Sequence, residues 1–128
     1  MTFMTDDREE TPRRRQASAE ALAGREAASL VRDLNRRLGS WQAASVKVHT
    51  IAQRLKAAGR GDPSVVEEAQ ALRRSLSVEK QRFEAMIPEQ SERVANHGRV
   101  NDTRRSFEMI AERLSDALRL MGHEPEAE

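Results

Sequence analysis

Ala27, Val31, Leu34, Leu38, Trp41, Ser45, Val48, Ala52 and Leu55 recur at alternating steps of four and three residues, the spacing of one seam along a single helix. The pattern predicts a helix that ends at Ala58, where Gly59 can take the left-handed closing conformation and Lys56 suits the carboxyl-end dipole. Upstream, Thr11-Pro12 offers a cap and a residue pre-set for a first turn, so the start is expected between residues 12 and 18. At 1.5 Å per residue, about forty residues span roughly 60 Å, about twice what a compact small domain requires. Such a rod needs a partner of similar length.

The chain restarts at Asp62-Pro63-Ser64, with Ser64 to Glu67 spaced as a capping box, so a second helix begins at 63–65. Its seam is Val65, Ala69, Leu72, Leu76, Glu79, Phe83 and Met86, with one acidic interruption at Glu79. The short link makes the first two helices an antiparallel hairpin. After Met86 the phase is lost. Pro88, Glu89 and Glu92 read as a first helical turn and Asn96-His97-Gly98 as an end, so a kink or a break lies between 88 and 101. A third seam, Val100, Thr103, Phe107, Ile110, Leu114, Ala117 and Met121, widened by Leu118, closes at Gly122.

These seams divide the chain into a mobile charged tail over 1–16, a single helical domain over 17–121 and an acidic tail over 122–128. The helices are expected at about 17–58, 64–87 and 88–121. A hairpin alone leaves half of each seam in water, and a narrow Leu, Val and Ala stripe does not offset ordering costs of roughly 1–2 kcal/mol per residue. The expected fold is all-α: an elongated antiparallel hairpin completed by a third helix, as a three-helix bundle, or by a second chain, as a dimeric bundle. The length of the first helix favours self-association, so a homo-oligomer is expected, a dimer foremost.

Composition narrows the class. Three Phe, one Trp and no Tyr leave a core of aliphatic side chains, which argues against a β-sandwich. The absence of cysteine removes disulfides, thiolate metal sites and Cys nucleophiles, and fits a reducing cytoplasm, the expected compartment. No stretch is apolar enough for a signal segment or a membrane span. The net charge of +1 hides an uneven distribution: residues 17–58 carry seven basic and three acidic groups, whereas 122–128 carry three Glu.

Candidate chemistry is sparse. His49 has no His, Asp or Glu within one turn to share a metal, and the three histidines are scattered. A histidine phosphotransfer bundle would place Lys three and Gly four residues after the histidine; after His49 those positions hold Ala52 and Gln53. The paired carboxylates Glu67-Glu68, Glu89-Glu92 and Glu108-Glu112 alternate with Arg on wet helix faces, where a solvated surface explains them better than a pocket for acid–base work. No phosphate loop, HExxH, GxSxG or calcium loop occurs. A non-enzymatic protein without cofactor or metal is expected.

Binding is therefore the expected role. Nucleic acid is the alternative reading, through the basic first helix and Arg13-Arg14-Arg15: Arg25, Arg32 and Arg36 share a face, from which Arg37, Lys47 and Lys56 diverge, but no helix-turn-helix spacing or aromatic stacking set accompanies them. Membrane association is not expected, since Trp41 aligns with Leu34, Leu38 and Val48 toward the core. A protein partner is favoured because Met86, Met109 and Met121 lie on or beside the seams, where thioethers adapt to a docking helix. The build resembles secretion or flagellar-export chaperones and assembly adaptors in shape, not in motif. The residues assigned to an assembly or partner-binding seam are Leu34, Leu38, Trp41, Val48, Leu55, Leu72, Leu76, Phe83, Met86, Phe107, Ile110, Leu114 and Met121.

Overall fold

Apolar seams at helical spacing build α1 (Phe3–Ala57), α2 (Pro63–Met86), a short α3 (Glu92–Ala95) and α4 (Gly98–Leu120). A 3-10 turn over Ile87–Glu89 joins α2 to α3, and no strand occurs among the described residues. The structure is a computed structural model that describes the backbone of residues 3–127 and the side chains of residues 13–127.

α1 and α2 run antiparallel, and α4 turns back to run parallel to α1, so the third helix of this chain completes the bundle. The register is marked by Thr103 Oγ1 within 2.9 Å of Asn35 Oδ1, and by Arg113 donating to Ser45 Oγ at 3.4 Å, both across 68 residues of sequence. α4 is the principal neighbour of α1 and also packs on α2, while the α1–α2 contact is the least extensive of the three. The hairpin expected from chain order is thus present but is not the main interface. Small side chains explain this: Ala27, Ser45 and Ala52 of α1 and Ala117 of α4 are fully buried, and they let those two helices approach closely.

Two apolar clusters fill the bundle. The larger runs from Ala23 through Leu34 and Leu38 to Phe83, Phe107, Ile110 and Leu114, with the Phe83 and Phe107 ring centroids 6.0 Å apart. The smaller joins Val48 and Ala52 to Val65, Ala69, Ala117 and Leu118 at the other end.

The ends of the helices show where local chemistry acted differently from the expected boundaries. α1 begins at Phe3, ahead of the 12–18 start suggested by Thr11-Pro12. Extending an existing helix needs no new nucleus. The expected mobile tail at 1–16 falls partly on residues 1 and 2, and on side chains up to residue 12, which lie outside the described residues. From 13 to 22 no side chain is buried, so α1 enters the bundle only at Ala23.

Gly59, at φ 63°, and Gly122, at φ 77°, close α1 and α4 in the same way. Arg60 N–H donates to Leu55 O at 2.9 Å, and His123 N–H donates to Leu118 O at 2.9 Å. Asp62 caps α2 by accepting from the Ser64 amide at 3.0 Å and the Ser64 hydroxyl at 2.7 Å. The Ser64 hydroxyl, foremost, holds the Asp62 carboxyl below its ordinary range. The expected Ser64–Glu67 box does not form, because Asp62 already occupies Ser64, and Glu67 pairs with Arg74 at 2.7 Å.

The segment after Met86 is a break rather than a kinked continuous helix. Buried Ile87 and Val94 pin two short turns, and Ser91 caps α3 by accepting from the Val94 amide at 3.3 Å. α3 ends at Asn96 as the Asn96-His97-Gly98 signal suggests, and His97 also starts α4: its Nδ1 accepts from the Arg99 amide at 3.2 Å. The carboxyl-terminal segment folds back on α2, where Glu126 O accepts from Arg73 at 2.9 Å and the Glu126 carboxylate accepts from Arg74 at 3.1 Å.

Candidate partner-binding groove

The thin α1–α2 contact leaves a groove of about 600 Å³ along that side of the bundle. Leu30 and Leu34 stand one turn apart on α1, and Phe83 and Met86 three residues apart on α2, so helical spacing turns each pair toward the same side. Leu34 and Phe83 are buried and form the floor; Leu30 is half-buried, and Met86 keeps 41% of its surface exposed as one wall. Asp33 and Arg82 stand on opposite rims.

One end of the groove is crossed by an ion pair from Arg37 of α1 to Glu79 of α2, in which Arg37 Nε also donates to Glu79 Oε1 at 3.1 Å. Glu79 occupies a position that the α2 seam would give to an apolar residue. Its side chain is only 16% exposed, so it needs the cation. The carboxylate also attracts Arg82 at 3.9 Å. What the seam pattern marks as an interruption is therefore the polar closure of an apolar slot. Arg37, grouped with the cations of the first helix in sequence, is turned to this pair instead.

Of the residues assigned to the seam, Leu34, Leu38, Val48, Leu76, Phe83, Phe107, Ile110 and Leu114 are buried between helices. Trp41 and Leu72 are half-buried against the larger cluster, and Leu55 and Met121 against the smaller. Met86 alone of this set is exposed. The three methionines do not share a surface: Met86 walls the groove, Met109 is 58% exposed on α4, and Met121 packs on the smaller cluster. Leu30, Asp33 and Arg82 were outside the seam assignment; their signal is position, each lying next to a seam residue and facing the α2 or α1 flank.

The other candidate side chains gather elsewhere. His49 is half-buried beside Asp116 on the α1–α4 flank, near Gln53, Lys56 and Arg119. Among the described residues no group of three His, Asp or Glu is placed to hold a metal ion. Glu84 accepts from Arg104 Nε at 2.7 Å and from Arg104 Nη2 at 3.0 Å. This pair, on the α2–α4 side, holds Glu84 below and Arg104 above their ordinary values. The groove offers apolar surface and two opposite charges, which is recognition chemistry. No helix among the described residues is long and apolar enough to cross a membrane. Compared with known proteins, the chain matches no family model, no curated protein and no solved structure.

Proposed function

We propose that the protein is a non-enzymatic interaction module that receives an amphipathic helix of another protein on its α1–α2 side, in the manner of a small cytoplasmic adaptor or an export chaperone. The observation that carries this reading is the slot of about 600 Å³ between Leu30 and Met86 over Leu34 and Phe83, open along the least extensive of the three helix contacts. A large apolar side chain of the incoming helix fills it, since burying one such side chain contributes roughly 1.5–3 kcal/mol. Asp33 and Arg82 select a helix with a basic residue on the α1 side and an acidic one on the α2 side.

The test is a comparison of variants in the native cell. Proteins cross-linked to the chain are identified by mass spectrometry for the wild type, for Met86→Asp and for Val78→Asp, the last altering an exposed apolar side chain outside the groove. A partner lost with Met86→Asp and kept with Val78→Asp, with its cross-links mapping to α1 and α2, supports the reading. Equal capture by all three overturns it. Cross-links that join only copies of this chain across the groove replace the foreign helix with self-association.

A further inference from the structure

We infer that the outer face of α1 docks on the phosphate backbone of duplex nucleic acid, without regard to sequence. The chain is electrically divided. Residues 1–57 hold eleven basic and seven acidic groups, while 58–128 hold eleven basic and fourteen acidic ones. On α1 the side chains of Arg25, Arg32, Arg36 and Arg54 are exposed. At 100° per residue they fall within an arc of about 40° and form a lane roughly 44 Å long. Lys47 lies at the edge of that lane.

Several cations of the other helices are engaged within the chain. Arg74, Arg104, Arg105 and Arg119 each hold a carboxylate of this chain. Among the described residues, none lies within ion-pair distance of Arg25, Arg32, Arg36 or Arg54. Glu26 and Asp33 sit about 80–100° around the helix from Arg25, and Asp33 lines the α1–α2 groove. The lane itself therefore carries one sign of charge along its whole length.

The residues between the cations identify the polyanion. Ser29, Gly39, Ala43 and Thr50 lie on or beside the line and are short, so a rigid phosphate strand can come close to the helix. A membrane surface would require bulky apolar anchors within the lane, whereas the exposed Leu22 and Val46 lie about 60° to either side of its line. A single strand would require exposed aromatic rings for base stacking; among the described side chains Trp41 is half-buried in the core, and Phe83 and Phe107 are buried. A straight lane of cations without base-reading side chains fits the regular backbone of a duplex.

The test measures anisotropy of two labelled duplexes of unrelated sequence titrated with the full chain, between about 50 and about 200 mM salt. Both duplexes are expected to bind alike, with a log–log salt slope of about −3 to −4 for four phosphate contacts. Arg32→Glu with Arg36→Glu should weaken binding at least about tenfold and flatten the slope by about 2. Lys80→Glu with Arg105→Glu changes the net charge equally on α2 and α4 and should bind as the wild type does, with circular dichroism confirming that both variants are folded. Failure to bind at the lowest salt overturns the inference, as does equal weakening by the two double variants. Retention on phosphatidylserine vesicles without duplex binding assigns the lane to a lipid surface and also overturns it.

Discussion

The α1–α4 and α1–α2 interfaces use the same face-forming periodicity on α1 and come out differently. Against α4 the packing is closed: Ala27, Ala52, Val100, Ile110, Leu114, Ala117 and Leu118 are all fully buried. Against α2 the contact is thin, an ion pair stands in the seam, and Leu30 and Met86 remain partly in water. The difference lies in side-chain volume and polarity. Alanine and serine admit a close neighbour, whereas the longer Leu30, Arg37, Phe83 and Met86 hold α2 off and leave a slot. Proximity in the chain does not decide which helices pack best.

The largest effect is expected where the closed core is charged. Leu38→Asp puts an unpaired carboxylate at a position that is 3% exposed, and loss of the helical circular dichroism signal is the expected result. Retention of that signal would break the assignment of Leu38 to the core. Ile110→Ala, on the closed side, should cost about 2–5 kcal/mol in urea unfolding, because a cavity adds to the lost transfer energy. Met86→Ala, on the open side, should stay within about 0.5 kcal/mol. Similar costs for the two would remove the contrast between the interfaces.

Smaller effects sharpen the comparison further. Glu79→Leu should be neutral or stabilise by about 1 kcal/mol, since it replaces a largely buried carboxylate with apolar contact, leaves the exposed Arg37 to water and extends the closed packing toward α2. Strong destabilisation in thermal melts would show that the Arg37–Glu79 pair organises the seam. The smallest effect concerns pH. The Arg104 guanidinium keeps Glu84 ionised to lower pH in the folded state, so its contribution is present above the unfolded carboxylate pKa and is lost as pH falls through the folded one. Both side chains are about a third exposed, at 32% and 38%, so the contribution is under about 1 kcal/mol. Glu84→Gln should therefore narrow its stability deficit relative to the wild type as pH falls below about 4.

Periodicity made most of the fold legible. Residues at the three seams are buried or half-buried almost throughout, because a helix that must cover one side repeats its apolar residues at a fixed step. The segment from 87 to 97 escaped that logic: Ile87 and Val94 are buried singly, on turns too short to show a period. His97 was ambiguous because an imidazole nitrogen can cap a starting helix as readily as Asn96-His97-Gly98 can end one. The return of Glu126 to Arg73 and Arg74 depends on distant charges and leaves no local pattern. The groove was half visible. Glu79 stood out as an interruption, but the slot exists only because α4 takes most of α1, and that choice rests on close three-dimensional fit among small residues.

The 68-residue separation between contacts of α1 and α4 bears on how the chain acquires its structure. Closing that loop costs about 1 kcal/mol more than closing the 20-residue span that joins Glu84 to Arg104. The two later helices are thus the cheaper pair to dock, and α1 is the last to find its main neighbour. Until α4 has been synthesised, α2 alone covers a stripe of Val, Leu and Ala more than thirty residues long, from Ala23 to Leu55, and leaves most of it in water.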